Sequence, residues 1–557
     1  MRAVGASAVG TGAVPDARIA ARVRFPRAPR SSVSIGEVLA CAFGLGLLAL
    51  VMCSAHIRSG GLYYDDWSLL ALARFPAPGG LLHGLWLDYG QRPGQVLYYA
   101  ALDDAIGLDA SARLALAAAT LVLEATCLYA LLRQLGLAAR HAVAIAALVL
   151  TFPFSDSVWL WGVLSLSSLA IAACLLGAIL ALRALQSTGR RALALHGASL
   201  SLYVASIVSY EVFAVAGCLI GLLYVRAVGL RRARARWALD MVAIATTLAV
   251  TRAALPIDVA TPSRTQSLAG MVAHAGLIAG RGVRLAGAAV LPVGGLGPWV
   301  GVGLLAAALA AAAVVRLRLA ADDPVRADLG RWLAIAGAGA LVAIASWAVY
   351  VPGPEHYAPS PAGTVNRMNA AAAIGLVIVV YSAVVLLART LTRLVRLPPF
   401  AASLGVVAAA LALAGAYLGR SAADARAWDA AAADQRQVLA DLHAALPRLP
   451  PGATVYAFGA PRAVGPGVPV LDTTLDLTSA MRISYASPQL VGVPLAGPAG
   501  VTCGARGPQA GSFGGVYGDS YLLDVGARRA VRLAARAQCA AEGRLAIARA
   551  GRRSEST

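Results

Sequence analysis

The stretch GEVLACAFGLGLLALVMCSAHI, residues 36–57, leads through Arg58 and Ser59 into Gly60-Gly61-Leu62-Tyr63-Tyr64-Asp65-Asp66-Trp67, and its reading decides the fold. A run of about 20 mostly apolar residues is what a helix needs to cross the hydrocarbon core of a bilayer. Two adjacent carboxylates stand just beyond it. Charge beside a bilayer is costly to desolvate, so the pair belongs where a helix leaves the membrane or in a polar cavity facing it. Arg92-Pro93 follows in the same loop, before the next long apolar segment.

Working outward, similar segments recur near 112–134, 141–156, 158–184, 193–209, 211–228, 237–255, 298–317, 332–351, 369–389 and 399–419. The 557 residues are 59% hydrophobic and only 13% charged, about half the charged share of a soluble chain. The expected fold class is an all-α polytopic membrane protein of about eleven transmembrane helices with a small C-terminal α/β domain.

The formal charge of +20 comes from arginine alone, with no lysine in the chain. Arg18, Arg22, Arg24, Arg27 and Arg30 precede the first span, and Arg226, Arg231, Arg232, Arg234 and Arg236 fill one short loop. Arginine in alternate loops is an orientation signal rather than a polyanion site, so no nucleic-acid partner is expected. It places residues 1–34 in the cytoplasm as an Arg-rich arm, 35–420 as the transmembrane domain and 421–557 as an extracytoplasmic domain of a multi-pass cell-membrane protein. The first apolar segment is long and lacks a clear small-residue cleavage site, which favours an uncleaved helix.

Loop 58–111 faces outward on this topology. Trp67–Phe75 and Leu81–Tyr89 carry helical spacing broken by Pro76, Pro78 and Gly79-Gly80, which predicts two short interfacial helices. Residues 256 to about 297 form a second long outer region. In the tail, Asp424–Leu446 and Asp472–Tyr485 read as helices, and Ala453–Phe458, Val516–Val525 and Arg529–Leu533 as strands. Five cysteines lie in apolar segments, whereas Cys503 and Cys539 lie in the tail, where an oxidising compartment would allow a disulfide.

A first helix, an outer loop opening on an acidic pair, interfacial helices, Arg-Pro and further helices resemble the GT-C membrane glycosyltransferases. That superfamily includes the protein O-mannosyltransferases and the bacterial aminoarabinose transferase of lipid A. The resemblance covers roughly residues 36 to 420, with Asp-Asp here in place of the Asp-Glu common in the protein mannosyltransferases. It implies transfer, with inversion, of a sugar from a polyprenyl-phosphate donor to a cell-envelope glycan, lipid or protein acceptor.

Such chemistry needs a base near the acceptor nucleophile and cations near the departing phosphate. Asp65 is the candidate base, with Asp66 orienting it or binding the acceptor or a divalent metal. Arg92 is the leading phosphate ligand, because a guanidinium holds phosphate oxygens bidentately and keeps its charge. Glu211, in Ser209-Tyr210-Glu211, and Asp156, in Pro153-Phe154-Ser155-Asp156, stand at outer turns and join the candidate substrate-binding set. So does the polar run from Glu355, His356 and Tyr357 through Asn366 to Arg367, which starts a helix suited to phosphate. The alternative function is a transporter or flippase of a lipid-linked sugar, which would place charges at mid-membrane on broken helices. No phosphate-gripping Gly-rich loop or dinucleotide fingerprint is present.

Overall fold

A computed structural model describes residues 33–253 and 267–554, so the Arg-rich arm lies almost wholly outside the described residues. The helices in chain order are α1 (Ile35–Ser59), α2 (Asp65–Arg74), α3 (Leu81–Tyr89), α4 (Pro93–Ala105), α5 (Ala110–Gln134), α6 (Ala139–Leu150), α7 (Ser157–Leu160), α8 (Ser165–Ala184), α9 (Gly189–Ser209), α10 (Ala214–Gly217), α11 (Ile220–Val228) and α12 (Leu230–Ala253). Then come α13 (Leu268–Val290), α14 (Gly297–Arg318), α15 (Pro324–Ala348), α16 (Ala370–Val395), α17 (Pro399–Ala445), α18 (Thr474–Ser484) and α19 (Arg536–Ser554). Among the described residues, nine helical segments are long and apolar enough to cross a membrane.

Three predicted boundaries change, each for a physical reason. The expected span at 141–156 is the 12-residue α6, about 18 Å long and too short for a bilayer core. The expected span at 237–255 is α12, which starts at Leu230 and carries Arg231, Arg232, Arg234 and Arg236 on its first turns. The region after 256 holds α13 rather than loop, seated on α14 by direct backbone contact. A Cβ on Gly287 would fall 1.8 Å from the Pro298 carbonyl oxygen, and one on Gly301 would fall 2.0 Å from that of Gly287.

The two short helices expected in loop 58–111 are present as α2 and α3. Pro93 opens α4 at its first turn, where a missing N–H costs nothing. The predicted boundary near 420 is not a break, because α17 runs 47 residues without interruption from the apolar bundle into the C-terminal domain.

That domain holds a four-stranded sheet in the order β4 (Val491–Pro494), β1 (Thr454–Phe458), β8 (Ser520–Asp524) and β9 (Arg529–Arg532). β1 runs parallel to both neighbours, and β8 and β9 are antiparallel. A small hairpin, β2 (Ala463–Val464) and β3 (Val468–Pro469), follows β1, and a three-stranded ribbon of β5 (Thr502–Cys503), β6 (Pro508–Ala510) and β7 (Phe513–Gly514) precedes β8. Cys503 and Cys539 are joined by a disulfide, their Cα atoms 6.0 Å apart. α18 packs on β4 and along α2, which ties the domain to the bundle.

Candidate functional site

The acidic pair divides its labour by burial. Asp65 and Asp66 open α2 after Tyr64, whose φ of 44° and ψ of −114° put a non-glycine residue in a strained conformation, at a cost of about 1–3 kcal/mol. The surroundings hold it there. The Tyr63 hydroxyl donates to the Trp428 carbonyl at 2.9 Å, and the Tyr63 amide donates to Asp66 Oδ2 at 3.1 Å. Tyr64 itself meets Trp161 edge-on. The turn leaves Asp65 half-buried and Asp66 almost fully buried.

Asp66 serves structure. Its Oδ1 lies 3.9 Å from the guanidinium of buried Arg113, which also pairs with Asp103 and donates to the Gly107 carbonyl. Burial pushes the Asp66 carboxyl up to about 7, against the pull of Arg113. Arg113 is the partner that orients it.

Asp65 faces cations. Burial raises its carboxyl above the ordinary range, and the charges of Arg367 and Arg92 pull it back. Arg92 is held by Glu211 through two hydrogen bonds, from Nε at 2.7 Å and Nη2 at 2.8 Å, and stacks over the Tyr210 ring at 5.0 Å. Arg252 adds a third hydrogen bond to Glu211 at 2.9 Å and one to Gln91 at 2.9 Å. Arg367 is different. It stacks over Trp161 at 5.2 Å and donates to the Thr364 carbonyl at 3.2 Å, with no carboxylate in ion-pair contact among the described residues.

Asp65, Arg92, Glu211 and Arg367 therefore belong to one cluster, joined by Tyr210 and Tyr350, whose hydroxyls feel both arginines, and by Tyr99, which feels Arg92 and Asp65. Tyr357 lies beside Tyr350, with ring centroids 6.5 Å apart, and the His356 ring lies tilted against Tyr357 at 4.2 Å. Burial and then the Arg367 charge lower the His356 imidazole, so it sits at the exposed rim as a neutral ring.

Asp156 is not part of this surface. It is buried and accepts a 2.7 Å hydrogen bond from Asn366 Nδ2, while Asn366 Oδ1 accepts from the Ser157 amide at 3.2 Å. Its place is behind the turn that carries Arg367, as a positioning residue. Asp156, expected in the substrate-binding set, is held by Asn366 behind that turn rather than beside Asp65.

Sequence reasoning missed two contributors. Trp161 supplies the ring under Arg367, and Asp476, on the first turn of α18, lies near enough for the Asp65 charge to act on it. An Asp three residues after Thr473 reads as ordinary helix capping, so nothing in the sequence marked it. As for metal, no group of three or more His, Cys, Asp or Glu side chains among the described residues is arranged to hold an ion.

Compared with known proteins, the chain matches no family model, and no curated protein matches it closely enough to count as a relative.

Proposed function

We propose that the protein is a membrane glycosyltransferase that moves a sugar from a polyprenyl-phosphate donor to a cell-envelope acceptor at the outer face of the cytoplasmic membrane. The observation that carries this reading is half-buried Asp65 within the field of two cations, Arg367 and Arg92, of which Arg367 is in ion-pair contact with no carboxylate among the described residues. A carboxylate lifted above its ordinary range is a suitable base for an acceptor hydroxyl. An unpaired guanidinium nearby suits the phosphate that departs as the sugar transfers. Arg92, already neutralised by Glu211, holds the cluster's shape and adds charge at longer range.

The disulfide supports an oxidising compartment for the C-terminal domain, and that domain lies against α2. The Asp65 end of the bundle then faces the same compartment. Inversion follows from a single displacement that uses one base.

The test uses purified protein in proteoliposomes with undecaprenyl-phosphate-linked monosaccharides and a cell-envelope extract as acceptor. Sugar transfer by the wild type that Asp65→Asn abolishes is the expected result. Transfer that proceeds normally in Asp65→Asn refutes the assigned base, and no donor consumption with any lipid-linked sugar refutes the reading. Labelling of single-cysteine variants in intact cells should reach the tail and spare residue 236; the reverse pattern would put Asp65 in the cytoplasm and end the lipid-phosphate proposal.

A further inference from the structure

The C-terminal domain reaches the Asp65 cluster through one continuous segment, residues 459–476, which links β1 to α18. Its hairpin lies directly on the turn that carries Arg367. The Thr364 amide faces the Gly467 carbonyl at 3.4 Å, and a Cβ on Gly363, whose φ is +73°, would fall 2.5 Å from the Pro466 carbonyl oxygen. On the other side α18 packs along α2, and Gln435 of α17 links α2 to the hairpin by accepting from Trp67 Nε1 at 3.0 Å and donating to the Pro469 carbonyl at 3.1 Å. Base, cation and this segment are thus built into one another.

At the end of the segment stand Asp472 and Asp476. Asp476 is 1% exposed, and neither of its carboxylate oxygens has a hydrogen-bond partner among the described residues. Thr473 lies close enough to favour the charged form, yet it closes no hydrogen bond of ordinary geometry to that carboxylate. Oδ1 of half-buried Asp472 is likewise without a partner. The charges of Asp65 and Asp472 both act on Asp476, and those of Asp65, Asp472 and Asp476 all act on the Tyr64 hydroxyl. A buried carboxylate left without hydrogen bonds costs free energy, so its retention beside the candidate base calls for a ligand that satisfies it.

Resting on the glycosyltransferase reading, we propose that Asp476 and Asp472 form the acceptor subsite, accepting hydrogen bonds from the hydroxyls of a sugar bound where the start of α18 meets the start of α2. A carboxylate offers up to four acceptor positions and suits a polyol. The neighbouring Tyr64 and Trp161 rings supply apolar faces. Burial pushes the Asp476 carboxyl up to about 7, so near neutrality it both donates and accepts, as a hydroxyl does. An acceptor hydroxyl bound there stands next to Asp65, the group that takes its proton. The C-terminal domain is then half of the active site rather than an appendage.

The experiment uses the full chain in lipid nanodiscs and separates the two halves. Saturation-transfer NMR follows methyl α-mannopyranoside, methyl β-galactopyranoside and methyl α-arabinofuranoside, and thermal stabilisation follows undecaprenyl phosphate. Saturable binding of at least one glycoside should weaken by about tenfold or more in Asp476→Asn and less in Asp472→Asn, with undecaprenyl phosphate bound as in the wild type. Equal glycoside affinity in the wild type and both variants overturns the proposal, as does the absence of any glycoside binding. Binding of calcium or manganese that Asp476→Asn removes, without glycoside binding, overturns it in favour of a cation. If Asp476→Asn does not yield folded protein, Asp472→Asn carries the comparison. Loss of the undecaprenyl-phosphate response alone strikes the donor reading and leaves the acceptor subsite standing.

Discussion

Two buried charge clusters in this molecule are built from the same residue types and end differently. In one, Arg236 pairs with Asp240 at 2.9 Å and reaches His196 and Ser199, while Asp240 accepts from Tyr224 at 2.6 Å and Tyr224 meets Tyr203 at 2.9 Å. Each charge there has an opposite charge in contact, although Arg236 Nε and Asp240 Oδ1 make no hydrogen bond among the described residues. In the other, around Asp65, the arginines outnumber their carboxylate partners, Arg367 has none among the described residues, and Asp476 keeps two oxygens without hydrogen bonds. A buried network whose charges are paired helps to specify a fold. One that leaves a cation without a carboxylate and a carboxylate without a donor is prepared for a ligand that supplies them.

The largest expected effect tests that contrast at its centre. Asp65→Asn should lower kcat for sugar transfer by about 10²- to 10⁴-fold, the usual worth of a general base, with donor binding unchanged in a titration. Next, Arg236→Met should act in the opposite sense. Removing one partner of a buried pair costs about 3–5 kcal/mol, so the apparent melting temperature should drop while turnover per folded molecule holds. A turnover loss in Arg236→Met as large as that in Asp65→Asn would erase the distinction between the clusters.

Smaller is the contrast between two arginines of the same site. Arg367→Gln should raise the donor KM by about 10- to 100-fold, the worth of a hydrogen bond to charge. Arg92→Gln should raise it less, because Glu211 already occupies that guanidinium. Equal effects would return Arg92 to the leading role that its motif suggested.

The smallest effect is in pH. The Asp66 carboxyl rises from 3.8 to about 7 on folding, so between these values the native state binds more protons than the unfolded one. Stability from this group is present at pH 4 and lost as pH rises through about 7. Asp66→Asn should flatten that part of the stability profile in a chemical-denaturation series, and an unchanged slope would assign the effect elsewhere.

Much of this was legible in the sequence where one periodicity or one costly residue type decides the structure. Apolar runs announce helices, and the breakers at Pro76, Pro78 and Gly79-Gly80 set off α2 from α3. Asp65, Arg92, Glu211 and Arg367 each drew attention because charge beside a bilayer has to be accounted for. Asp156 drew it for the same reason, and burial sent it to the back of the turn instead. What stayed hidden depends on distance in three dimensions. Nothing local tells that Glu211 clamps Arg92 across 119 positions, or that α18 docks on α2. Nothing local marks Gly287 and Gly301 as the place where two helix backbones touch.

The unbroken course of α17 has one more consequence. At 47 residues it is a rod of about 70 Å, rooted in the apolar bundle and fixed midway by His56, which contacts Asp429 at 2.6 Å. A rod without a joint transmits phase as well as position. One residue inserted between Gly419 and Asp424 would turn everything beyond it by about 100° and advance it by about 1.5 Å, setting the hairpin and α18 out of register with the membrane half. The chain has fixed the angular setting of its two halves in the pitch of a single helix, and α17 has no hinge at which a mismatch could be taken up.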